Sequence, residues 1–138
     1  MRLGKDGKVD LIRNVPLFSK LSKAGLREVA GLADEIDFPE GKTLIREGER
    51  GREFFVLLDG RAEVRKKGRR VDILEQGDFF GEIALVTKMP RTATITTESP
   101  VRALVITDRD FAGLLKRSPE IGQGVVEALA ERLAPELS

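Results

Sequence analysis

The middle of the chain limits the fold most strongly, because glycines there interrupt one short β-branched or alternating run after another. The glycines are Gly41, Gly48, Gly51, Gly60, Gly68 and Gly77. This spacing is typical of the tight turns of a small antiparallel β-barrel. We therefore predict a barrel between Ile36 and Thr107, with strands at Thr43–Ile45, Glu53–Leu58, Arg61–Arg65, Val71–Leu74, Arg91–Thr96 and Val101–Ile106.

Both ends of the chain carry helical patterns. Leu11, Ile12 and Val15 lie at helical spacing before Pro16, and Ser22 can cap a second helix. A last helix is predicted after the barrel, where Pro119 is followed by an apolar stripe of Ile121, Val125, Ala128, Leu129 and Leu133.

Size and composition fit one globular domain. The chain has 138 residues, of which 41% are hydrophobic and 34% charged, which is enough for a proper core. We expect a single domain with N-terminal helices over residues 1–35, the barrel over residues 36–107 and C-terminal helices over residues 108–138.

The chain has no cysteine and no histidine. This excludes disulfides, thiolate chemistry, zinc sites with nitrogen or sulfur ligands and a general base built on imidazole. We predict no catalytic residue, no metal site and no cofactor. An enzyme is the least favoured class, because the candidate binding residues are Glu, Arg, Thr and backbone groups, with no nucleophile that a base activates.

The net charge of +1 gives no general attraction to nucleic acid or to anionic membranes. One basic cluster runs from Arg65 to Arg70 and contains Gly68, which predicts a solvated hairpin tip rather than a patch for nucleic acid or an acidic partner. The N-terminus lacks the apolar run of a signal peptide, and no apolar run is long enough to span a bilayer. We expect a cytoplasmic protein.

The segment from Phe80 to Ile95 has the features of a site for a sugar phosphate. Gly81 lets the backbone come close to an anion, free N–H groups at the start of a short helix attract it, and Arg91 can give forked hydrogen bonds to phosphate oxygens. Glu82 suits a hydroxyl donor beside the phosphate. Taken singly, these residues are equally a turn glycine, a helix cap and a surface arginine, but their joint pattern favours the site.

The same segment resembles the phosphate-binding cassette of the cyclic nucleotide-binding domain family. The family pattern is Phe-Gly-Glu-(apolar)-Ala-Leu, a variable loop, and then Pro-Arg-(small)-Ala-Thr-(apolar), which this chain matches almost completely. The resemblance implies an α+β fold, in which an antiparallel β-barrel or jelly roll of about eight strands is flanked by an N-terminal helical elbow and C-terminal lid helices.

The resemblance also implies a function. A domain of this family is expected to bind cAMP, or else cGMP, and to signal by movement of its C-terminal helices to an effector protein or a homo-oligomeric partner. A cyclic nucleotide-binding-like module that has lost its ligand and acts in protein–protein interaction is the alternative. A transcription regulator is disfavoured, because no helix-turn-helix follows the last helix.

Specific roles follow from the resemblance for each matching position. Glu82 is expected to bind the ribose 2′-hydroxyl and Arg91 the exocyclic phosphate oxygens. The ligand-binding set is completed by backbone groups of Gly81, Ile83, Ala84 and Thr92.

Further positions are expected to transmit binding. Leu85 is the expected relay and Phe111 its hinge partner, while Leu129, Arg132 and Leu133 are candidates for the cap over the purine. A leucine stripe of this kind is also what an ordinary buried helix face shows.

Two positions affect affinity and ligand choice. Arg52 occupies a place where many family members carry an acid that orients the cassette arginine, so that either Glu53 substitutes for it or the ligand alone holds Arg91. The hydroxyl of Thr92 could accept a hydrogen bond from the guanine amino group, which permits cGMP without excluding cAMP. A single exposed hydroxyl discriminates weakly, and we favour cAMP.

Overall fold

The computed structural model describes the backbone of residues 3–137 and the side chains of residues 3–131. Within this range eight antiparallel strands form two four-stranded sheets. The strands are β1 Asp34–Phe38, β2 Thr43–Ile45, β3 Glu53–Asp59, β4 Ala62–Lys66, β5 Arg69–Leu74, β6 Phe79–Phe80, β7 Thr94–Thr97 and β8 Val101–Thr107. This is the expected jelly roll.

The strand order determines which loops become neighbours. One sheet has the order β1-β8-β3-β6 and the other β2-β7-β4-β5. Strand β3 pairs with β6 through Phe55 and Phe80, and β2 pairs with β7 through Thr43 and Thr96. Strands β2 and β7 are neighbours in one sheet, and β3 and β6 are neighbours in the other. The connections β2–β3 and β6–β7 both pass from one sheet to the other and therefore run side by side.

The helices flank the strands in sequence, and the chain forms two compact units. Strands and their connections make a barrel unit, Asp34–Asp108, and the segments up to Ala33 and from Arg109 make a helical unit. The α-helices are α1 Lys5–Ile12, α2 Lys23–Ala30, α3 Asp108–Arg117 and α4 Pro119–Leu137, and two 3-10 helices lie at Pro16–Phe18 and Glu82–Leu85.

Apolar faces hold the helical unit together. The Ser22 hydroxyl accepts a hydrogen bond from the Gly25 N–H at 3.1 Å, so the predicted cap of α2 is confirmed. The rings of Phe18 and Phe111 have centroids 5.8 Å apart. Among the described side chains of the predicted stripe on α4, Ile121, Val125 and Ala128 are buried.

Aromatic stacking organises the core of the barrel unit. The ring centroids of Phe55 and Phe80 lie 4.8 Å apart at an interplanar angle of 14°, and this stacking joins β3 to β6 at the start of the cassette. Phe54 and Val56 on the opposite face of β3 are buried as well, which explains the unbroken apolar run in this strand. The buried cluster consists of Phe55, Leu57, Ala62, Phe80, Ile95, Val101, Ala103 and Val105.

The largest difference from the predicted strands lies in the cassette. The strand predicted from Arg91 begins only at Thr94. The Arg91 N–H donates to the Glu49 carbonyl at 2.7 Å, and the Arg91 carbonyl accepts from the Gly48 N–H at 2.9 Å. Its backbone groups are thus engaged by the β2–β3 connection and do not join the β7 ladder.

Other boundaries agree within one or two residues. Strand β1 begins two residues before the predicted start of the barrel, and the two-residue strand β6 was not predicted. The basic cluster is the β4–β5 hairpin, as predicted, with Lys67 and Gly68 at positive φ. Arg65 pairs with Glu63, and Arg70 lies 3.1 Å from Glu98. Over the residues described, no helix has both the length and the apolar character to cross a membrane.

We predict that Phe55→Ala lowers the free energy of unfolding by about 3–5 kcal/mol, because the side chain is buried in the barrel core and its removal leaves a cavity. Urea unfolding followed by far-UV circular dichroism measures this, since the chain has no tryptophan or tyrosine. Val71→Thr is the matched control at an exposed strand position and is expected to change stability by less than about 0.5 kcal/mol. Equal losses in the two variants would contradict the assigned core.

Candidate functional site

The second residue of the cassette, Gly81, has a backbone conformation that other residues rarely adopt. Gly81 has φ +86°, in the left-handed region, and it immediately precedes the 3-10 helix Glu82–Leu85. A Cβ atom at this position would lie 2.6 Å from Nη1 of Arg91 and 2.7 Å from the Glu53 carbonyl oxygen. Glycine is therefore required here both by the turn and by the arginine packed against it.

A second glycine lies against the same side chain. A Cβ atom on Gly51 would be 2.6 Å from Nε and 2.7 Å from Cζ of Arg91. Both distances are shorter than real Cβ contacts, so the guanidinium packs directly on the two backbones of Gly51 and Gly81. This packing leaves Arg91 with 9% of its surface exposed.

Hydrogen bonding fixes one end of the guanidinium. Nη2 of Arg91 donates to the Glu53 carbonyl oxygen at 2.7 Å, and the Glu53 carboxylate lies farther away, with Oε1 4.0 Å from Nη2. Glu53 thus holds Arg91 chiefly through its backbone carbonyl. The exposed Arg52 next to it contributes its carbonyl to another contact, described below.

Burial changes the electrostatics of Arg91. Loss of solvent lowers the pKa of Arg91 from its ordinary value, and the nearby Glu53 carboxylate partly offsets this. An arginine stays protonated at neutral pH even so. A buried cation whose desolvation is only partly compensated favours an anion beside it.

A cavity of about 360 Å³ lies beside this arginine, within the size range of small-molecule sites. Apolar side chains of Ile45, Phe80, Ile83 and Ile95 form part of its wall. All six residues predicted to bind ligand line it, namely Gly81, Glu82, Ile83, Ala84, Arg91 and Thr92.

The polar groups that line the cavity differ in burial and in hydrogen bonding. Glu82 is half-buried, and its Oε2 atom is fully buried. The Ala84 N–H donates to the Gly81 carbonyl at 3.1 Å, so this predicted phosphate donor already has a partner within the cassette. Thr92 is exposed and precedes β7, so it lies outside a strand although the strand predicted for Arg91–Thr96 included it.

The predicted relay and cap residues lie in different parts of the molecule. Leu85 ends the 3-10 helix of the cassette and is buried. Phe111 belongs to the helical unit, where it packs on Phe18, and Leu129 on α4 is half-buried. The side chains of the other two cap candidates, Arg132 and Leu133, lie outside the described residues.

Sequence reasoning missed two groups that hold Arg91. Gly51 was interpreted as one of several turn glycines, and the carbonyl of Glu53 was not considered. A carbonyl carries no sequence signal, because every residue has one. The aromatic and aliphatic run of β3 starts shortly after Gly51. This run could have indicated that Gly51 precedes a strand rather than forming a hairpin turn.

The arrangement suits binding of an anion that also carries hydroxyl groups. A guanidinium and a carboxylate line one cavity with an apolar wall, which matches phosphate, hydroxyl and ring of a nucleotide. Within the described part of the chain, no cluster of acidic side chains could hold a metal ion.

Comparison with known proteins agrees with this geometry. Residues 35–118 match the family model of the cyclic nucleotide-binding domain. The chain belongs to the cyclic nucleotide-binding domain family.

Relatives include signalling proteins of several kinds. The chain is 36% identical over 113 residues to a cAMP-dependent protein kinase regulatory subunit of Mycosarcoma maydis, covering 75% of this chain and 22% of that protein. It is 36% identical over 122 residues to a cyclic nucleotide-gated potassium channel of Rhizobium etli, covering 88% of this chain and 34% of the channel. The chain thus spans about a third or less of the length of these curated relatives.

A solved structure shows the same fold. The N-terminal domain of a transcriptional regulator from Streptomyces coelicolor A3(2) superposes with a TM-score of 0.81 at 28% identity. The match covers 92% of this chain and 94% of the other.

We predict that Gly81→Ala is more harmful than Gly41→Ala, although both glycines have nearly the same positive φ. Both variants lose about 1–2 kcal/mol of stability for a left-handed alanine. A Cβ added at Gly41 would meet no atom within 4 Å, whereas a Cβ on Gly81 displaces Arg91 and breaks its bond to Glu53, at a further cost of about 1.5–3 kcal/mol. Urea unfolding measures the difference. Equal losses would show that Arg91 does not pack on Gly81.

Proposed function

We propose that this domain binds cAMP, with cGMP as a second possible ligand, and acts as a sensor rather than as an enzyme. The observation that carries the proposal is the buried Arg91, whose guanidinium lines the cavity while one of its nitrogens is fixed by the Glu53 carbonyl. A cyclic phosphodiester carries one negative charge, which this cation can neutralise without a large rearrangement.

The other contacts follow from the positions around Arg91. The Glu82 carboxylate lines the same cavity and suits the ribose 2′-hydroxyl as a hydrogen-bond acceptor. Gly81, Ile83 and Thr92 also line the cavity, and we propose that their backbone groups contact the phosphate. For Ala84 we propose that its N–H exchanges the Gly81 carbonyl for the ligand, because the two acceptors compete for one donor.

Two observations bear on the choice between cAMP and cGMP. Relatives are named for both nucleotides, since a cAMP-dependent kinase subunit is 36% identical and a cGMP-dependent protein kinase of Caenorhabditis briggsae is 32% identical over 108 residues. The exposed hydroxyl of Thr92 would accept a hydrogen bond from the 2-amino group of guanine, which adenine lacks, but a single exposed hydroxyl discriminates weakly. We propose cAMP as the preferred ligand.

We further propose that binding is transmitted through α3 and α4 to a partner protein or a fused effector in the cytoplasm. Leu85 and Phe111 are the proposed relay and hinge, and a residue of α4 among Leu129, Arg132 and Leu133 is the proposed cover of the base. This proposal is supported by the relatives named above, which are larger proteins with kinase or channel names.

Titration calorimetry on protein freed of bound nucleotide tests the binding proposal. We expect wild-type protein to bind cAMP with a Kd on the order of micromolar or tighter. Arg91→Ala should weaken binding by about 2–5 kcal/mol, because the phosphate loses its buried cation. Arg102→Ala is the matched control, since Arg102 pairs with Asp37 at 2.8 Å and does not line the cavity.

The same titrations separate the two functions. Absence of heat with millimolar cAMP and cGMP, together with an unshifted melting temperature, would leave the ligand-free interaction module as the function. Equal weakening by Arg91→Ala and Arg102→Ala would remove Arg91 from the binding site.

Hydrogen exchange tests the transmission proposal. We expect saturating cAMP to slow amide exchange in residues 81–91 of the cassette and also in α4. A ligand can shift a conformational equilibrium only by binding its two states differently, so slower exchange in α4 would show that cAMP favours one state of this helix. Strand β5 on the far edge of its sheet is the internal control and should exchange equally with and without ligand. Unchanged exchange in α4 would mean that the domain binds without signalling through this helix.

A further inference from the structure

The connection between β2 and β3 holds the backbone of the cassette arginine. We call residues 48–53 the arginine loop. The Gly48 N–H donates to the Arg91 carbonyl at 2.9 Å, and the Arg91 N–H donates to the Glu49 carbonyl at 2.7 Å. Arg50 lies opposite Pro90 in an isolated antiparallel β-bridge of the main chain. Three consecutive residues of the loop therefore fix the main chain at Pro90 and Arg91.

The rest of the loop fixes the side chain. Gly51 lies against the guanidinium of Arg91, and the Glu53 carbonyl accepts a hydrogen bond from its Nη2 atom. The direction of the guanidinium into the cavity thus depends on the position of the loop. Any contact that anchors the loop elsewhere also positions Arg91.

Asp108 provides such an anchor on the other side of the loop. Its N–H donates to the Arg52 carbonyl at 2.8 Å, and its Oδ2 accepts from Nη2 of Arg50 at 3.2 Å. The Asp108 side chain is 19% exposed and that of Arg50 37% exposed, so this pair is better shielded than most surface ion pairs. Asp108 is both the last residue of the barrel unit and the first residue of α3.

We propose that Arg50 and Asp108 are positioning residues for the anion site. Their ion pair holds the arginine loop in the geometry that aims Arg91 at the cavity, and it connects that geometry to the first residue of α3.

The first arm of the test uses nucleotide-free protein and is independent of the proposed function. Amide hydrogen exchange of Gly48 and Arg91, measured by NMR, should become about threefold to fivefold faster in Arg50→Gln and in Asp108→Asn. Arg50→Lys keeps the charge and should restore slow exchange. Asp37→Asn removes the partner of Arg102, in a more exposed pair elsewhere in the barrel unit, and should leave both amides unchanged.

The second arm measures cAMP affinity and rests on the proposed function. Arg50→Gln and Asp108→Asn should each weaken binding about threefold to fivefold, and the double variant no more than either single one, because each change breaks the same pair. Arg50→Lys should bind like wild type, and so should Asp37→Asn.

The outcomes separate the two ideas. Faster exchange in a protein that binds no nucleotide supports the positioning role and contradicts the proposed function. Normal affinity in Arg50→Gln and Asp108→Asn, with unchanged exchange at Gly48 and Arg91, overturns the positioning role and leaves the function standing. An equal effect of Asp37→Asn would also overturn it, since the change would then reflect general loss of stability.

Discussion

The site depends on the burial of one guanidinium between two glycine backbones. Taking Arg91 out of water is unfavourable, and its position is maintained because Gly51 and Gly81 leave room for it and the Glu53 carbonyl accepts its Nη2 hydrogen bond. The jelly roll brings these groups together. Pairing of β2 with β7 and of β3 with β6 forces the arginine loop and the cassette to run side by side.

This geometry separates positioning from binding. The contacts to Glu53 and the two glycines use part of the guanidinium, and burial lowers the pKa of Arg91 without neutralising it. The charge is therefore available to a ligand in the cavity, while the side chain loses little conformational entropy when the ligand binds. Glu82 on the neighbouring 3-10 helix adds a carboxylate to the same cavity, which suits a sugar hydroxyl and disfavours a second phosphate.

Local features of the site could be predicted from the sequence, and contacts between distant segments could not. The role of Gly81 was predicted because a glycine lets the backbone come close to an anion, and the six residues predicted to bind ligand lie in one continuous segment, residues 81–92. Gly51 and Glu53 are about forty residues away from Arg91, and their role depends on sheet pairing that a strand pattern does not specify. For the same reason, the sequence did not show that the arginine loop captures the Arg91 backbone and delays β7 until Thr94.

A crystal structure of the domain with cAMP would show whether Arg91 holds the phosphate. We expect an exocyclic phosphate oxygen within about 3 Å of the Arg91 guanidinium. We also expect the Glu82 carboxylate to accept a hydrogen bond from the ribose 2′-hydroxyl, and Nη2 of Arg91 to keep its hydrogen bond to the Glu53 carbonyl. A nucleotide bound outside the cavity, or one whose phosphate makes no contact with Arg91, would contradict this assignment of the site.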